Sequence, residues 1–432
     1  MKLRVRNVLW TAAALATLGG TIVSAGVAPA GAATSPADQG VTKTTITVGL
    51  PWVNFTELKN LGVNINDGNF VDAYNAVIAG INKAGGVDGR KLVLANVGMD
   101  PALPADAANS CTQLTEDDHV FVSISPVFPD CYQTTHDTPV IAGSLPGTLP
   151  AGSAPDFAIV PPDAPFDAVQ LAAFKKLGVF NGKKVGIFYG ATSDAPEVSA
   201  VKADLAKLHV DLVDTALDNA PSTDTVASDQ DTQTIETKFQ NDGINVVLGV
   251  GGSGSTTWPR AQADLQSQYK PLYIATSESS YISYVESTKG GNPYLDYSLA
   301  ATSTPTAYQQ WKDPAIQKCA AEVRKAYPSD QVSNPPNPET TVVTNDTTYE
   351  SVIEACQYLG LFVKIADAAG KNLTVASFTK AGYDLKNASI PGAGGPLSFA
   401  PGQPYAIGPV TIYHYDAKTQ TLVPGTSVAK TN

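Results

Sequence analysis

The sequence predicts an α/β protein with two doubly wound parallel sheets, each covered by helices on both faces. The chain has 432 residues, which is more than a single core normally accommodates. Short apolar strands alternate with segments of helical periodicity, and this order is typical of parallel sheets. The alternation is interrupted over residues 143–165, which are rich in Gly and Pro. We interpret this stretch as a crossing between two lobes.

The first unit begins with TITVGL at residues 45–50, whose alternating β-branched side chains predict a strand. Apolar residues recur at helical spacing from Phe70 to Ile81. Gly85 and Gly86 should end this helix, because glycine tolerates the left-handed conformation found at helix ends. The rest of the unit is predicted as strands at 91–97, 120–125 and 139–142 and a helix within 104–118.

The second unit repeats the same alternation. Its predicted strands are 184–189, 211–215, 246–250 and 272–275, and its predicted helices are 166–178, 196–208, 234–242 and 258–268. Residues 218–233 are mostly Asp, Thr and Ser without an apolar period, so we expect a loop. Further along, Asp313-Pro314 begins a helix, another helix begins near Tyr349, and residues 410–415 predict a closing strand.

The N-terminus has the order of a secretory signal peptide, with basic residues in the first six positions and then an apolar run from Val8 to Ala16. We expect residues 1–32 to be removed and residues 33–43 to form a linker. The protein should be exported to the extracellular space or the cell envelope, without an evident lipid anchor or membrane insertion. The formal charge of −12 favours solubility and argues against nucleic acid as a partner.

Four cysteines in an exported chain favour disulfides, and three pairings are possible. We favour the nearest neighbours, Cys111 with Cys131 and Cys319 with Cys356. Cys319 and Cys356 fall on the apolar faces of two predicted helices, so a bond between them is geometrically reasonable. A zinc site is the rival interpretation, but the chain lacks CxxC spacing and has only four scattered histidines, so no metal is expected.

The stretch IAGINKAGGVDGRKL at residues 78–92 resembles a signature of type I periplasmic binding proteins, in particular the branched-chain amino acid (Leu/Ile/Val) branch of ABC transporter substrate-binding proteins. Weaker matches follow in the family's order, and the likeness covers most of residues 44–415. The resemblance implies two discontinuous lobes joined by a three-strand hinge, with the ligand between them. Lobe one would comprise residues 44–160 and 301–390, and lobe two residues 161–300 and 391–432.

Ligands of open parallel sheets bind beyond the carboxyl ends of the strands, so the loops there are the candidate site. The predicted ligand-binding residues are Trp52, Asn54, Phe55, Ser125, Phe128, Ser144, Tyr189, Ser277 and Glu278. In amino-acid-binding relatives, lobe-one hydroxyls hold the carboxylate and a lobe-two acid holds the amine, and Ser125, Ser144 and Glu278 match these roles. The open alternatives are interlobe packing for Trp52 and Phe55, local turns for the serines, and a solvated loop acid at Glu278.

The resemblance therefore implies a non-enzymatic solute-binding protein, expected to be a monomer, that captures an amino acid or related carboxylate and delivers it to an ABC-type permease. An exported sensor or scavenger of the same fold, or an exported hydrolase with paired carboxylates, is the alternative. Residues 249–254 match the glycine pattern of dinucleotide sites, but Trp258-Pro259 weakens the helix start that such a site requires. No cofactor and no catalytic residue are expected.

Overall fold

The computed structural model describes residues 39–54, 66–100, 103–126, 130–143, 153–221, 224–288, 290–340 and 346–425. The predicted signal peptide, most of the predicted linker, and the predicted ligand contacts Phe55, Phe128 and Ser144 lie outside these ranges. Within the described ranges, no helix combines the length and the apolar character needed to cross a membrane.

The strands are β1 Thr45–Val53, β2 Lys91–Met99, β3 Val122–Ile124, β4 Val140–Ala142, β5 Asp156–Ala158, β6 Lys184–Tyr189, β7 Asp211–Leu217, β8 Val246–Val250, β9 Leu272–Ala275, β10 Ser298–Thr302, β11 Ala388–Ser389, β12 Pro396–Leu397, β13 Thr411–Asp416 and β14 Thr421–Pro424. The α-helices are α1 Phe70–Lys83, α2 Pro104–Thr112, α3 Asp163–Lys176, α4 Ala195–Lys207, α5 Thr225–Asn241, α6 Gly251–Asp264, α7 Glu278–Thr288, α8 Ala307–Trp311, α9 Pro314–Ala326, α10 Glu350–Ala369 and α11 Val375–Asp384. Short π-helical and 3-10 turns lie at Gln113–Asp117, Cys131–Thr135, Thr192–Asp194, Pro293–Tyr297 and Pro328–Asp330.

The first sheet is parallel throughout, with strand order β2-β1-β3-β4-β5. Its larger core packs α1, α9, α10 and α11 against one face, with Tyr74, Val352 and Phe378 among the buried side chains. A smaller cluster around Cys111 and Leu114 covers other side chains of the same strands. Helices thus contact the sheet from both faces, as predicted, and we call this body lobe one.

The second sheet has strand order β14-β13-β10-β9-β8-β6-β7, and only β13 and β14 run antiparallel to their neighbours. One core packs α3 and α4 around Phe174 and Val201. The other packs α5, α6 and α7 around Trp258 and Tyr281. This body is lobe two, and the prediction of two sheets with helices on both faces is confirmed.

Three segments join the lobes, after β5, after β10 and before β13. The chain just before the third crossing contacts the end of β5: the Ala158 N–H donates to the Pro404 carbonyl at 2.9 Å, and the Ala406 N–H donates to the Ala158 carbonyl at 2.9 Å. Gly408 approaches the second segment so closely that a Cβ there would lie 2.4 Å from the Ser303 carbonyl oxygen. The hinge therefore depends on a glycine at this position.

The lobe boundary drawn at residue 391 stays a prediction, but the packing favours a later one. Ala393, Leu397, Phe399 and Ala406 all belong to the larger core of lobe one. We therefore place the third crossing near residue 407. At the N-terminal end, part of the predicted linker is ordered, since Val41 forms a bridge with Ile46 of β1.

Two local elements were missed. The segment 143–165 does contain the first crossing, after β5, but it also contains β5 itself, a strand of three residues that completes the first sheet. The predicted loop at 218–233 contains the start of α5, whose N-cap Asp224 accepts a hydrogen bond from the Ala227 N–H. The buried face of α5 begins with Ser228 and Thr232, so its first turns carry no apolar period that could reveal them.

Both favoured disulfides are confirmed. Cys111 and Cys131 are bonded with their Cα atoms 6.4 Å apart, and Cys319 and Cys356 are bonded with their Cα atoms 6.1 Å apart. The second bond joins α9 to α10 inside the core of lobe one. The two cysteines, one on each helix, are 37 residues apart in the sequence.

Candidate functional site

A cavity of about 330 Å³ lies between the lobes, next to the second crossing. Lobe two contributes the start of α7 and the β13–β14 hairpin, and lobe one contributes the segment leading into α10. The lining residues are Glu278, Ile282, Val285, Thr304, Pro305, Thr306, Ala307, Tyr308, Pro335, Pro336, Pro338, Thr347, Tyr349, Glu350, Tyr413, Thr421 and Leu422. Both lobes and a crossing thus enclose one space.

Glu278, a predicted contact, begins α7 and borders this cavity. Burial raises the pKa of the Glu278 carboxyl to about 7. A hydrogen bond with the Thr302 hydroxyl lowers this pKa, and the negative charge of Asp163 raises it. The neighbouring Tyr413 is 5% exposed, and its hydroxyl has no hydrogen-bond partner among the residues described. Burial, together with the charge of Glu278, raises the pKa of Tyr413 to about 12.

Ser277, another predicted contact, is buried beside Glu278. Its N–H donates to the Ser255 hydroxyl at 3.0 Å, and its own hydroxyl lies 3.2 Å from that of Ser280. Burial raises the pKa of Asp163, at the start of α3, while a hydrogen bond from Ser277 lowers it. This hydrogen bond connects Ser277, just after β9, to the start of α3, which follows the first crossing.

The glycine-rich stretch at 249–254 does begin a helix, α6, directly after β8, so our reason for rejecting a nucleotide site was wrong. The N-terminus of α6 is instead occupied by carboxylates. The Gly251 N–H donates to Glu197 at 3.0 Å, and the Ser253 hydroxyl donates to Asp194 at 2.6 Å. These acids complement the positive end of the helix dipole, and a phosphate there would meet two like charges.

Asp167 and Glu197 of lobe two form a close carboxyl pair, the kind of group that the hydrolase alternative would require. Burial, then the charge of Glu197, raises the pKa of Asp167 well above its ordinary value. The Gln170 amide donates to Asp167 at 2.8 Å, and Asp167 has no exposed surface. The pair connects α3 to α4, with Asp167 fully buried and Glu197 partly exposed.

On the lobe-one side, Glu354 lies on α10 one turn after the cavity residue Glu350, and it does not itself line the cavity. The Tyr74 hydroxyl donates to Glu354 at 3.0 Å, and the Ser125 hydroxyl also bonds to it. Burial raises the pKa of Glu354 to about 7 despite these two bonds. Ser125, a predicted contact, follows β3 in the left-handed conformation with φ of 58°, unusual for a residue other than glycine.

The other described candidates lie at strand ends but away from the 330 Å³ cavity. The Trp52 ring covers β2, since a Cβ at Gly98 would lie 2.8 Å from it, and its indole N–H has no partner among the described residues. The Asn54 N–H donates to the Met99 carbonyl at 2.8 Å. Tyr189 packs against a lobe-two core. The ligand roles of all three stay predictions.

Sequence reasoning missed Tyr413, Glu350 and Glu354 as residues of the cleft. Glu350 and Glu354 stand one helical turn apart beside the predicted apolar face of α10, and that spacing was the available signal. Tyr413 lies on a predicted strand, but nothing local in the sequence shows which of its alternating residues faces another lobe. Only the pairing of β13 with β10 places it beside Glu278.

Comparisons with known proteins connect this architecture to solved structures. No protein-family profile and no curated protein sequence matches the chain. A periplasmic binding protein type 1 from Bordetella pertussis Tohama I has a TM-score of 0.56 at 16% identity, covering 88% of this chain and 99% of its own. The chain has the type I periplasmic-binding-protein fold. The resemblance stated from the sequence is thereby confirmed for the fold.

Two further solved structures share the fold. An ABC transporter substrate-binding protein from Desulfitobacterium hafniense in complex with Leu has a TM-score of 0.59 at 16% identity, covering 88% of this chain and 99% of its own. A solute-binding protein of an ABC transporter from R. palustris in complex with 4-hydroxybenzoate has a TM-score of 0.56 at 14% identity, covering 89% and 96%. One fold thus accommodates ligands of different chemistry.

Proposed function

We propose that the chain is an exported solute-binding protein that captures a small organic molecule between its lobes and delivers it to an ABC-type membrane permease. The observation that carries this proposal is the cavity of about 330 Å³, which is lined by lobe one, lobe two and a crossing segment together. Hinge motion would open and close such a space, so binding and release need no covalent chemistry.

The wall residues indicate which end of a ligand lobe two holds. The resemblance implies an amino acid or a related carboxylate, and the solved structures with Leu and with 4-hydroxybenzoate show that the fold accommodates both kinds. Of the two ends of an amino acid, the ammonium has a natural partner in Glu278. Ligand binding by Glu278, and by Ser277 behind it, is part of this proposal.

A sensor or scavenger with the same fold would bind its ligand in the same way, and only the protein partner would differ. Co-purification of the ligand-loaded chain with an ABC-type permease would support transport. Co-purification with the ectodomain of a signalling protein would instead support sensing. The hydrolase alternative would need two accessible carboxyls, and Asp167 of the Asp167–Glu197 pair is fully buried.

The proposal can be tested by thermal-shift screening of the purified chain against amino acids, short peptides, aromatic acids and amines. A ligand at 100 times its Kd should stabilise the folded state by about 2.7 kcal/mol. Small-angle scattering should show a smaller radius of gyration with that ligand, and mass spectrometry should recover it unchanged. Consumption of the ligand, or binding without compaction, would contradict the proposal.

A further inference from the structure

The charge of the interlobe cavity indicates a narrower class of ligand. We infer that this cavity takes a small organic ammonium ion that lacks a compensating carboxylate, with Glu278 as its counter-ion and Tyr413 as a hydrogen-bond acceptor. This inference rests on the proposed function, because it names the ligand of the same cleft. It departs from the amino acid or carboxylate that the sequence resemblance implies.

Both described walls of the cavity are acidic. Glu278 of lobe two and Glu350 of lobe one line it, and its lining includes no lysine, arginine or histidine. Lys312 lines a neighbouring pocket, and its ammonium lies 3.9 Å from the centroid of the ring of Tyr308, which itself lines the cavity. A ligand that enters the cavity therefore meets carboxyl groups on both described walls, and none of the described lining residues is itself a cation.

Glu278 is not among the acids that form ion pairs in the described parts of the chain. Burial disfavours the ionised form of Glu278, and the negative charge of Asp163 disfavours it further. A buried carboxylate is unfavourable unless a cation pairs with it or it takes up a proton. A ligand ammonium would supply the missing cation at the cavity wall.

Tyr413 is a second, independent observation that points to a ligand. Its side chain is 95% enclosed, it lines the cavity, and its hydroxyl has no partner in the described structure. Buried polar groups without a partner are rare in folded proteins. An alkylammonium has three N–H donors, so it can pair with a carboxylate and still donate a hydrogen bond to a hydroxyl oxygen.

The lobe-one wall disfavours a carboxylate as the other end of the ligand. Ser125 is the described hydroxyl that the resemblance assigns to a ligand carboxylate, but it bonds to Glu354, which also holds the Tyr74 hydroxyl. An anion bound at Ser125 would be repelled by the negative charge of Glu354, or it would have to replace Glu354 as the acceptor of the Ser125 hydroxyl. The cavity volume of about 330 Å³ is also at the small end for ligand pockets, which suits a short amine.

The inference can be tested by isothermal titration calorimetry of the purified chain with five probes. These are n-butylammonium, 1,4-diaminobutane, tetramethylammonium, butyrate and leucine. We expect the three cations to bind and butyrate not to bind. Glu278→Gln keeps the shape of the side chain but removes its charge, and it should weaken binding of every cation on the order of 10- to 100-fold.

Tyr413→Phe separates hydrogen bonding from charge. It should weaken n-butylammonium several-fold and leave tetramethylammonium unchanged, because tetramethylammonium has no N–H to donate. Asp211→Asn is the matched control: this exposed acid begins β7, at the edge of the second sheet opposite the cleft, so all affinities should be retained.

The outcomes distinguish the inference from the proposed function. If leucine or butyrate binds with compaction while the cations do not, the inference fails and the proposed function stands. Equal cation affinity in Glu278→Gln and the unaltered chain would also overturn the inference. If no compound of any charge class binds with compaction in the wider screen, the proposed function itself fails.

Discussion

The two walls of the cleft hold their buried carboxyls differently. In lobe one, Glu354 receives hydrogen bonds from Tyr74 and Ser125, so its acceptors are supplied by the protein. In lobe two, Glu278 borders the cavity beside Tyr413, whose hydroxyl has no described partner. The lobe-one carboxyl thus has its hydrogen-bond partners without a ligand. On the lobe-two wall, the Tyr413 hydroxyl would gain a partner when a ligand binds. This difference predicts that the same Tyr→Phe substitution will destabilise the protein on the lobe-one wall and leave its stability nearly unchanged on the lobe-two wall.

The largest effect on stability is expected at Tyr74. Tyr74 is fully buried, and its hydroxyl donates to Glu354 at 3.0 Å. Tyr74→Phe leaves the buried carboxyl with one donor fewer and should lower the free energy of unfolding by about 1–3 kcal/mol. Urea denaturation followed by circular dichroism measures this difference. An unchanged midpoint would mean that Glu354 does not depend on Tyr74, and the proposed contrast between the walls would be lost.

The pH dependence of stability reports on the carboxyls of both walls together. Burial raises the pKa of both Glu354 and Glu278 from 4.5 to about 7. The folded state therefore keeps protons that the unfolded chain releases between these values. The resulting stability is fully present below pH 4.5 and is lost as the pH rises through about 7. The melting temperature of the ligand-free protein should be a few degrees higher at pH 5.5 than at pH 8.

Ligand separates the two contributions to this pH dependence. Without ligand, Glu354→Gln and Glu278→Gln should each flatten the dependence of melting temperature on pH. A saturating ammonium ligand keeps Glu278 ionised, so with ligand only Glu354→Gln should still flatten it. Differential scanning fluorimetry between pH 5.5 and pH 8 measures both cases, with Asp211→Asn as the control. A melting temperature that falls on acidification would contradict the assignment of both carboxyls.

The fold was largely predictable because its signals are local. Apolar periodicity located α1 and β6, and the disulfide between Cys319 and Cys356 followed from two apolar helix faces. The errors arose where the local signal is weak. β5 has only three residues, and the first turns of α5 bury polar side chains, so the sequence predicted only the second half of this helix, within 234–242.

The site was predictable only on one side of the cleft. Glu278 and Ser277 follow a strong buried strand, and the rule for strand ends located both of them. Tyr413 comes from the last part of the chain and meets Glu278 only because β13 pairs with β10. In the sequence, Glu354 cannot be distinguished from other helical acids, because its partner Tyr74 lies 280 residues earlier. Such long-range contacts have no signature in a single sequence.

The smallest effect on stability is expected at Tyr413, and it is the sharpest test of the contrast between the walls. Removing a buried hydroxyl normally destabilises a protein because a hydrogen bond is lost, but the Tyr413 hydroxyl has none among the described residues. Tyr413→Phe should therefore change the free energy of unfolding of the ligand-free protein by less than about 0.5 kcal/mol. The same urea experiment that measures Tyr74→Phe measures this difference under identical conditions. A loss of about 1 kcal/mol or more would show that the Tyr413 hydroxyl already has a partner, in which case the lobe-two wall would be as complete as the lobe-one wall.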